Sequence, residues 1–147
     1  MEDVLRIDFG VKRLLINGGP DFLEFNPTSI SFAEKFYKLK LDLDEKNKEY
    51  SSRSEAINLK RESGSGQDMF PEVLALSMEV CVYMREQIDI LFGPGTSQTV
   101  FKDNNSLNMF EQFFSGITPY IEEVRKKKVS KYISTPRKKK ETVIMGS

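Results

Sequence analysis

Residues 68–95 have the sequence DMFPEVLALSMEVCVYMREQIDILFGPG, which predicts a central helix. Pro71 stands near its start, and the first turn of a helix tolerates a residue that lacks a backbone N–H. Gly93 and Pro94 follow Phe92 and are typical of a helix end. We therefore expect a helix from about Asp68 to Phe92. Its core-facing residues recur at intervals of three and four: Val73, Ser77, Val80, Cys81, Met84, Ile88 and Leu91.

A second long helix is predicted upstream of this one. Residues 26–29 begin it, because Asn, Thr and Ser side chains accept hydrogen bonds from the free N–H groups of a first helical turn. Ser31 and Glu34 also have capping-box spacing, so the capping residue stays open. The helix continues through the charged residues 42–50, and the small residues 63–66 form a flexible connection after it. We expect its core face to contain Ile30, Ala33, Phe36, Tyr37, Leu41 and the stem of Lys40.

A third long helix is predicted from about Ser106, after a loop rich in Thr, Ser and Asn. Pro119 should kink or divide this helix, because proline removes a backbone donor and clashes with the preceding turn. Its expected core residues again have helical spacing: Leu107, Phe110, Phe113, Phe114, Ile117, Ile121 and Val124.

The N-terminal residues follow a strand-like pattern instead. Apolar runs at 4–9, 11–16 and 21–25 are separated by Gly10 and by the turn-forming residues 17–20, which predicts two or three short strands with hairpin-like connections. The expected class is α+β and mainly α: a short N-terminal β-hairpin or small sheet, three long helices and a basic flexible C-terminal tail.

The length of 147 residues and the apolar content of 39% are sufficient for one hydrophobic core. We expect a single domain over residues 1–134, with a β element at 1–25 and a helical body at 26–134. Residues 135–147 form the tail. The chain has no membrane-length apolar run, and its acidic start is unlike a signal peptide, so we expect it in the cytoplasm of a bacterial host.

The residue inventory argues against an enzyme. The chain has no His and one Cys, which excludes histidine-based catalysis and leaves too few ligands for a structural zinc site. Residues 93–96 follow a helix rather than a strand, so they indicate a helix stop and not a phosphate-binding loop. Asp42, Asp44 and Glu45 are better explained as a solvated helix face than as a metal site. No catalytic residue, metal or cofactor is expected.

The C-terminal region has a distinct positive charge, although the formal net charge of the chain is zero. A solvated or protein-binding tail is favoured over a nucleic-acid-binding tail, because the sequence contains no recognised nucleic-acid motif. The candidate partner-binding residues are Arg125, Lys126, Lys127, Lys128, Lys131, Arg137, Lys138, Lys139 and Lys140.

Three segments together carry a family resemblance: residues 23–37, residues 92–101 and residues 113–125. They include the runs LEFNPTSISFAEKFY and FGPGT, and they resemble small tail-assembly proteins of long-tailed bacteriophages and of prophages of Gram-positive bacteria. The similarity spans most of the chain from Leu23 to Tyr132.

This resemblance implies a tail-assembly chaperone. Such a protein is not an enzyme; it coats the tape-measure protein, helps tail-tube subunits to polymerise around it, and leaves before the tail is complete. The implied partners are therefore tape-measure and tail-tube proteins, and self-association is a further expectation because the substrate is long. Two alternatives stay open: a structural tail component, and a nucleic-acid-associated phage factor that acts through the basic tail.

A salt titration separates the protein-binding tail from the nucleic-acid-binding tail. Binding through several phosphates would weaken steeply as salt concentration rises, with a logarithmic slope of about −0.9 for each phosphate contacted. We expect fluorescence anisotropy with labelled DNA to show no such binding. A steep salt dependence that disappears when the residues after Ser134 are deleted would instead support the nucleic-acid alternative.

Overall fold

The computed structural model describes residues 2–64 and 66–133, with the backbone alone at 123–125 and 127–133. Two strands, β1 (Lys12–Leu15) and β2 (Phe22–Phe25), precede four helices. The helices are α1 (Ile30–Glu62), α2 (Phe70–Phe92), α3 (Thr96–Phe101) and α4 (Leu107–Ile133). The expected mainly helical α+β class is confirmed. The predicted tail, residues 135–147, lies outside the described residues.

The two strands form an antiparallel hairpin in which Lys12 pairs with Phe25 and Leu15 pairs with Phe22. A short 3₁₀ turn, Ile16–Gly18, connects them, and the Ile16 N–H donates to the carbonyl oxygen of Asp21 at 2.8 Å. The hairpin connection at residues 17–20 is therefore confirmed. Leu23 and Phe25 are buried and face the helices. The apolar run at residues 4–9 forms no strand.

Helix α1 is capped by Ser29, whose hydroxyl accepts from the Phe32 N–H at 3.2 Å. The predicted core face of this helix is wrong at Ile30, Tyr37 and Leu41, which are 80%, 59% and 50% exposed. Two overlapping stripes of α1 satisfy helical periodicity, and Phe36, which is buried as predicted, belongs to both. The stripe that packs against the core contains Phe32, Phe36, Leu39 and Leu43.

Helix α2 ends as predicted at Phe92, and its capping residue Gly93 has a φ of 121° that favours glycine. The buried residues Cys81, Ile88 and Leu91 all belong to the predicted core face. Leu91 packs in a cluster with residues of β2, α1 and α4, whereas Ile88 packs in a second cluster with residues of α3 and α4. Three partly buried phenylalanines pack against both clusters: Phe92, Phe113 and Phe114.

Helix α3 lies where the sequence predicted only a loop, so that prediction is wrong. Two side chains of α2 hold it in place. The Asp89 carboxylate accepts from the Ser97 N–H at 2.8 Å and from the Ser97 hydroxyl at 3.2 Å. The Arg85 guanidinium donates to the Lys102 carbonyl oxygen at 2.9 Å, beyond the other end of α3. These long-range partners explain why local sequence did not reveal this helix.

Pro119 was predicted to kink or divide this helix; α4 is continuous through Pro119, so of these two alternatives the division is wrong. Packing on both sides of the proline compensates for the lost backbone hydrogen bond, because Ile117 and Ile121 are both buried. Phe110 is also buried as predicted, but Leu107 at the helix start is 47% exposed. The predicted core side chain of Val124 lies outside the described residues.

Replacing Ile88 with Ala should destabilise the protein by about 2–5 kcal/mol, since it leaves a cavity at a side chain with 0% exposure. Ile90 provides a matched control, because it lies on the same helix and is 67% exposed. Ile90→Ala should change the free energy of unfolding by less than about 0.5 kcal/mol. Urea denaturation followed by circular dichroism measures both, and equal effects would contradict the described packing.

Candidate protein-binding site

The N-terminal half of α2 carries a row of apolar side chains on its solvent-facing surface. Phe70, Leu74, Met78 and Val82 are 59%, 53%, 49% and 50% exposed. Because they are spaced four residues apart, they form one of the continuous ridges by which helices pack into the grooves of other helices. Single exposed apolar residues are common, but a contiguous row is typical of an interaction site. We call this row the apolar ridge.

A groove also lies between α1 and α2. The α1 wall contains the small polar residues Ser51 and Ser54, whereas the α2 wall contains the apolar residues Val73, Leu76 and Val80. Serine side chains are too short to cover the apolar wall opposite them, and a space of about 280 Å³ remains. We call this space the interhelix groove.

The interhelix groove is continuous with a wider apolar groove toward the core. Asn47 and Leu107 line both spaces. The wider part has a volume of about 510 Å³, and α1, α2 and α4 contribute apolar side chains to it. These include Leu39, Leu43, Met84, Phe110 and Phe114. The connected grooves could accommodate apolar side chains of a bound segment.

Surface contacts hold α1 to α2 near the middle of their length. The Arg53 guanidinium donates two hydrogen bonds to the Glu79 carboxylate, at 2.6 Å and 2.9 Å. These bonds from Arg53 hold the pKa of Glu79 below its usual value. The rings of Tyr50 and Tyr83 meet edge to face with centroids 6.4 Å apart. Because the ion pair is exposed to solvent, it orients the two helices more than it stabilises the fold.

The acidic side chains of α1 and the thiol of α2 bear on metal and catalytic chemistry. Asp42 is paired with Lys38 at 3.1 Å and Glu45 with Lys48 at 3.5 Å, as expected of a solvated helix face. Among the side chains that the structure describes, no cluster of three or more His, Cys, Asp or Glu is arranged to hold a metal. Burial raises the pKa of the Cys81 thiol, which disfavours the reactive thiolate.

The structure describes few of the sequence-predicted basic residues. The backbone at Arg125, Lys126, Lys127, Lys128 and Lys131 belongs to α4, and of these only the Lys126 side chain is described; it is exposed. The remaining candidates, Arg137, Lys138, Lys139 and Lys140, lie outside the described residues.

Sequence reasoning overlooked the apolar ridge as a binding surface. None of its four residues belongs to the predicted core face of α2 or to the predicted partner-binding residues. The four-residue spacing that continues from Phe70 to Val82 could have indicated a second stripe. No helix in the described part of the chain is sufficiently long and apolar to span a bilayer.

Comparisons with known proteins identify a family but no activity. No curated protein and no solved structure is significantly similar to this chain. A family model described as a family of unknown function, DUF6673, matches residues 19–143. Since this match covers β2, all four helices and most of the 147 residues, the chain belongs to this family of unknown function.

Proposed function

We propose that this protein is a non-enzymatic chaperone that binds a helical segment of another protein through the apolar ridge. The observation that carries this proposal is the four-residue row from Phe70 to Val82, half exposed on α2. An amphipathic partner helix recognises such a surface by packing its own apolar face along the ridge.

The closed core of the chain supports a reversible interaction. Ile88, Ile121 and Phe110 are at most 3% exposed without any partner, so the fold does not require one. The apolar ridge, in contrast, keeps about half of each side chain in water. Binding would bury this surface, and release would leave a folded protein. This behaviour fits a chaperone that acts during an assembly reaction and then departs.

The resemblance to small tail-assembly proteins narrows the partner. We propose that the bound segment belongs to the tape-measure protein of a long-tailed phage and that tail-tube subunits are delivered around it. The host cytoplasm, where phage tails are assembled, is the proposed location. The basic residues from Arg125 to Lys140 would add electrostatic contacts that steer the encounter without setting its specificity.

The double variant Leu74→Glu/Met78→Glu should lose the complex with a tape-measure segment. Two charges on the ridge would have to be desolvated on binding, so we expect at least a tenfold loss of affinity, equivalent to about 1.4 kcal/mol. Co-purification of co-expressed proteins, followed by isothermal titration calorimetry at low and high salt, measures this effect. The complex of the unmodified chain should tolerate salt, because the contact is mainly apolar.

Ile30→Glu provides the matched control, because Ile30 is 80% exposed at the start of α1, outside the ridge and both connected grooves. It should leave the affinity unchanged. Failure of the unmodified chain to bind tape-measure segments would contradict the chaperone proposal. If the chain were also found in mature virions, a structural tail component would be the better description.

A further inference from the structure

The N-terminal arm, residues 2–11, has the pattern of a strand but belongs to no sheet. Leu5, Ile7, Phe9 and Val11 alternate along it and are 85%, 61%, 70% and 55% exposed. Strict alternation is typical of a strand with one buried face. Within the described residues, however, no backbone–backbone hydrogen bond joins residues 2–9 to another segment. The arm therefore has an apolar face and, at residues 2–9, backbone groups without a backbone partner.

An acceptor for such a strand exists on the same fold. The sheet has only two strands among the described residues, so β1 has one edge without a strand beside it. Next to β1 lies a groove of about 500 Å³, which we call the edge groove. It is lined by Leu14 of β1 and by Phe113, Ile117 and Tyr120 of α4. A strand added to β1 could place alternate side chains into this groove.

Gly116 deepens the edge groove. It lies on α4 among the lining residues, and no atom beyond its immediate neighbours lies within 4 Å of the position that a Cβ would occupy. Glycine is unfavourable within a helix by about 1 kcal/mol relative to alanine. The open space above Gly116 is therefore suited to an inserted side chain.

The arm is directed away from the β1 edge of its own chain. The Phe9 carbonyl oxygen accepts from Asn26 Nδ2 at 2.6 Å and from the Thr28 hydroxyl at 2.9 Å. Asn26 immediately follows β2, so these bonds hold the arm on the β2 side of the hairpin. While they persist, the strand that reaches the free edge of β1 must come from another molecule.

The charges of the two segments are complementary. The arm contains Glu2, Asp3 and Asp8 against a single Arg6, whereas β1 begins with Lys12 and Arg13. Two arms would repel each other, but an arm beside β1 pairs opposite charges. Cross-strand pairs of opposite charge stabilise a sheet, and like charges destabilise it.

From these observations we propose that the chain self-associates by strand addition. The N-terminal arm of one copy pairs with the free edge of β1 in a second copy and inserts Leu5, Ile7 and Phe9 into the edge groove. The backbone hydrogen bonds would provide affinity, and the alternate apolar side chains would provide specificity. This inference does not rest on the proposed chaperone function, because it involves different residues.

The test compares the full chain with a chain that lacks residues 2–9. The full chain should form dimers or larger species as concentration rises, whereas the shortened chain should stay monomeric by sedimentation velocity. A synthetic peptide of residues 2–11 should then bind the shortened chain. A peptide with Ile7→Asp and Phe9→Asp is the matched control and should bind at least tenfold more weakly, a difference of about 1.4 kcal/mol.

Gly116→Phe in the shortened chain should fill the edge groove and abolish peptide binding, with the helical circular dichroism spectrum retained. Self-association that survives removal of residues 2–9 would overturn the proposal. The proposal would also be overturned if the full chain stays monomeric while the shortened chain binds the peptide. In that case the arm would pair with β1 of its own chain. The variant Leu74→Glu/Met78→Glu should still self-associate. Failure of the strand-addition proposal can therefore be distinguished from failure of the proposed chaperone function.

Discussion

Helix α2 has more apolar surface than the other elements of the described chain bury. Its C-terminal half is enclosed, because Ile88 and Leu91 pack against residues from the hairpin, α1, α3 and α4. Its N-terminal half packs mainly along α1, whose facing residues include small serines. The apolar ridge therefore stays in water, and the proposed protein-binding role follows from this unequal burial.

Polar contacts also stabilise the packing around the enclosed C-terminal half of α2. Asp89 and Arg85 lie one helical turn apart on α2, and they bind opposite ends of α3. Together they place Phe101 against Phe110 and Phe113, with ring centroids 5.0 Å and 5.5 Å apart. The fold is therefore closed around the C-terminal end of α2 without a contribution from the ridge. This separation allows one half of the helix to maintain the structure while the other half contacts a partner.

The predictable features were those that depend on neighbouring residues. Glycine and proline correctly marked the end of α2 and the hairpin turn, and a three-to-four residue period identified the buried face around Ile88. The core face of α1 was mispredicted, because Ile30 and Phe32 begin two stripes that both fit a helical period. Helix α3 was missed because it is only six residues long and depends on contacts with α2, including the one between Arg85 and Lys102, 17 residues apart. The binding surface was missed since exposure depends on which faces the remaining helices cover.

Hydrogen–deuterium exchange of the protein, with and without a tape-measure segment, tests the central claim most directly. If the apolar ridge of α2 is the binding surface, the bound segment should slow exchange in residues 70–82. The strands β1 and β2 should be unchanged. Binding that leaves residues 70–82 unprotected, or protects only the hairpin, would contradict the account.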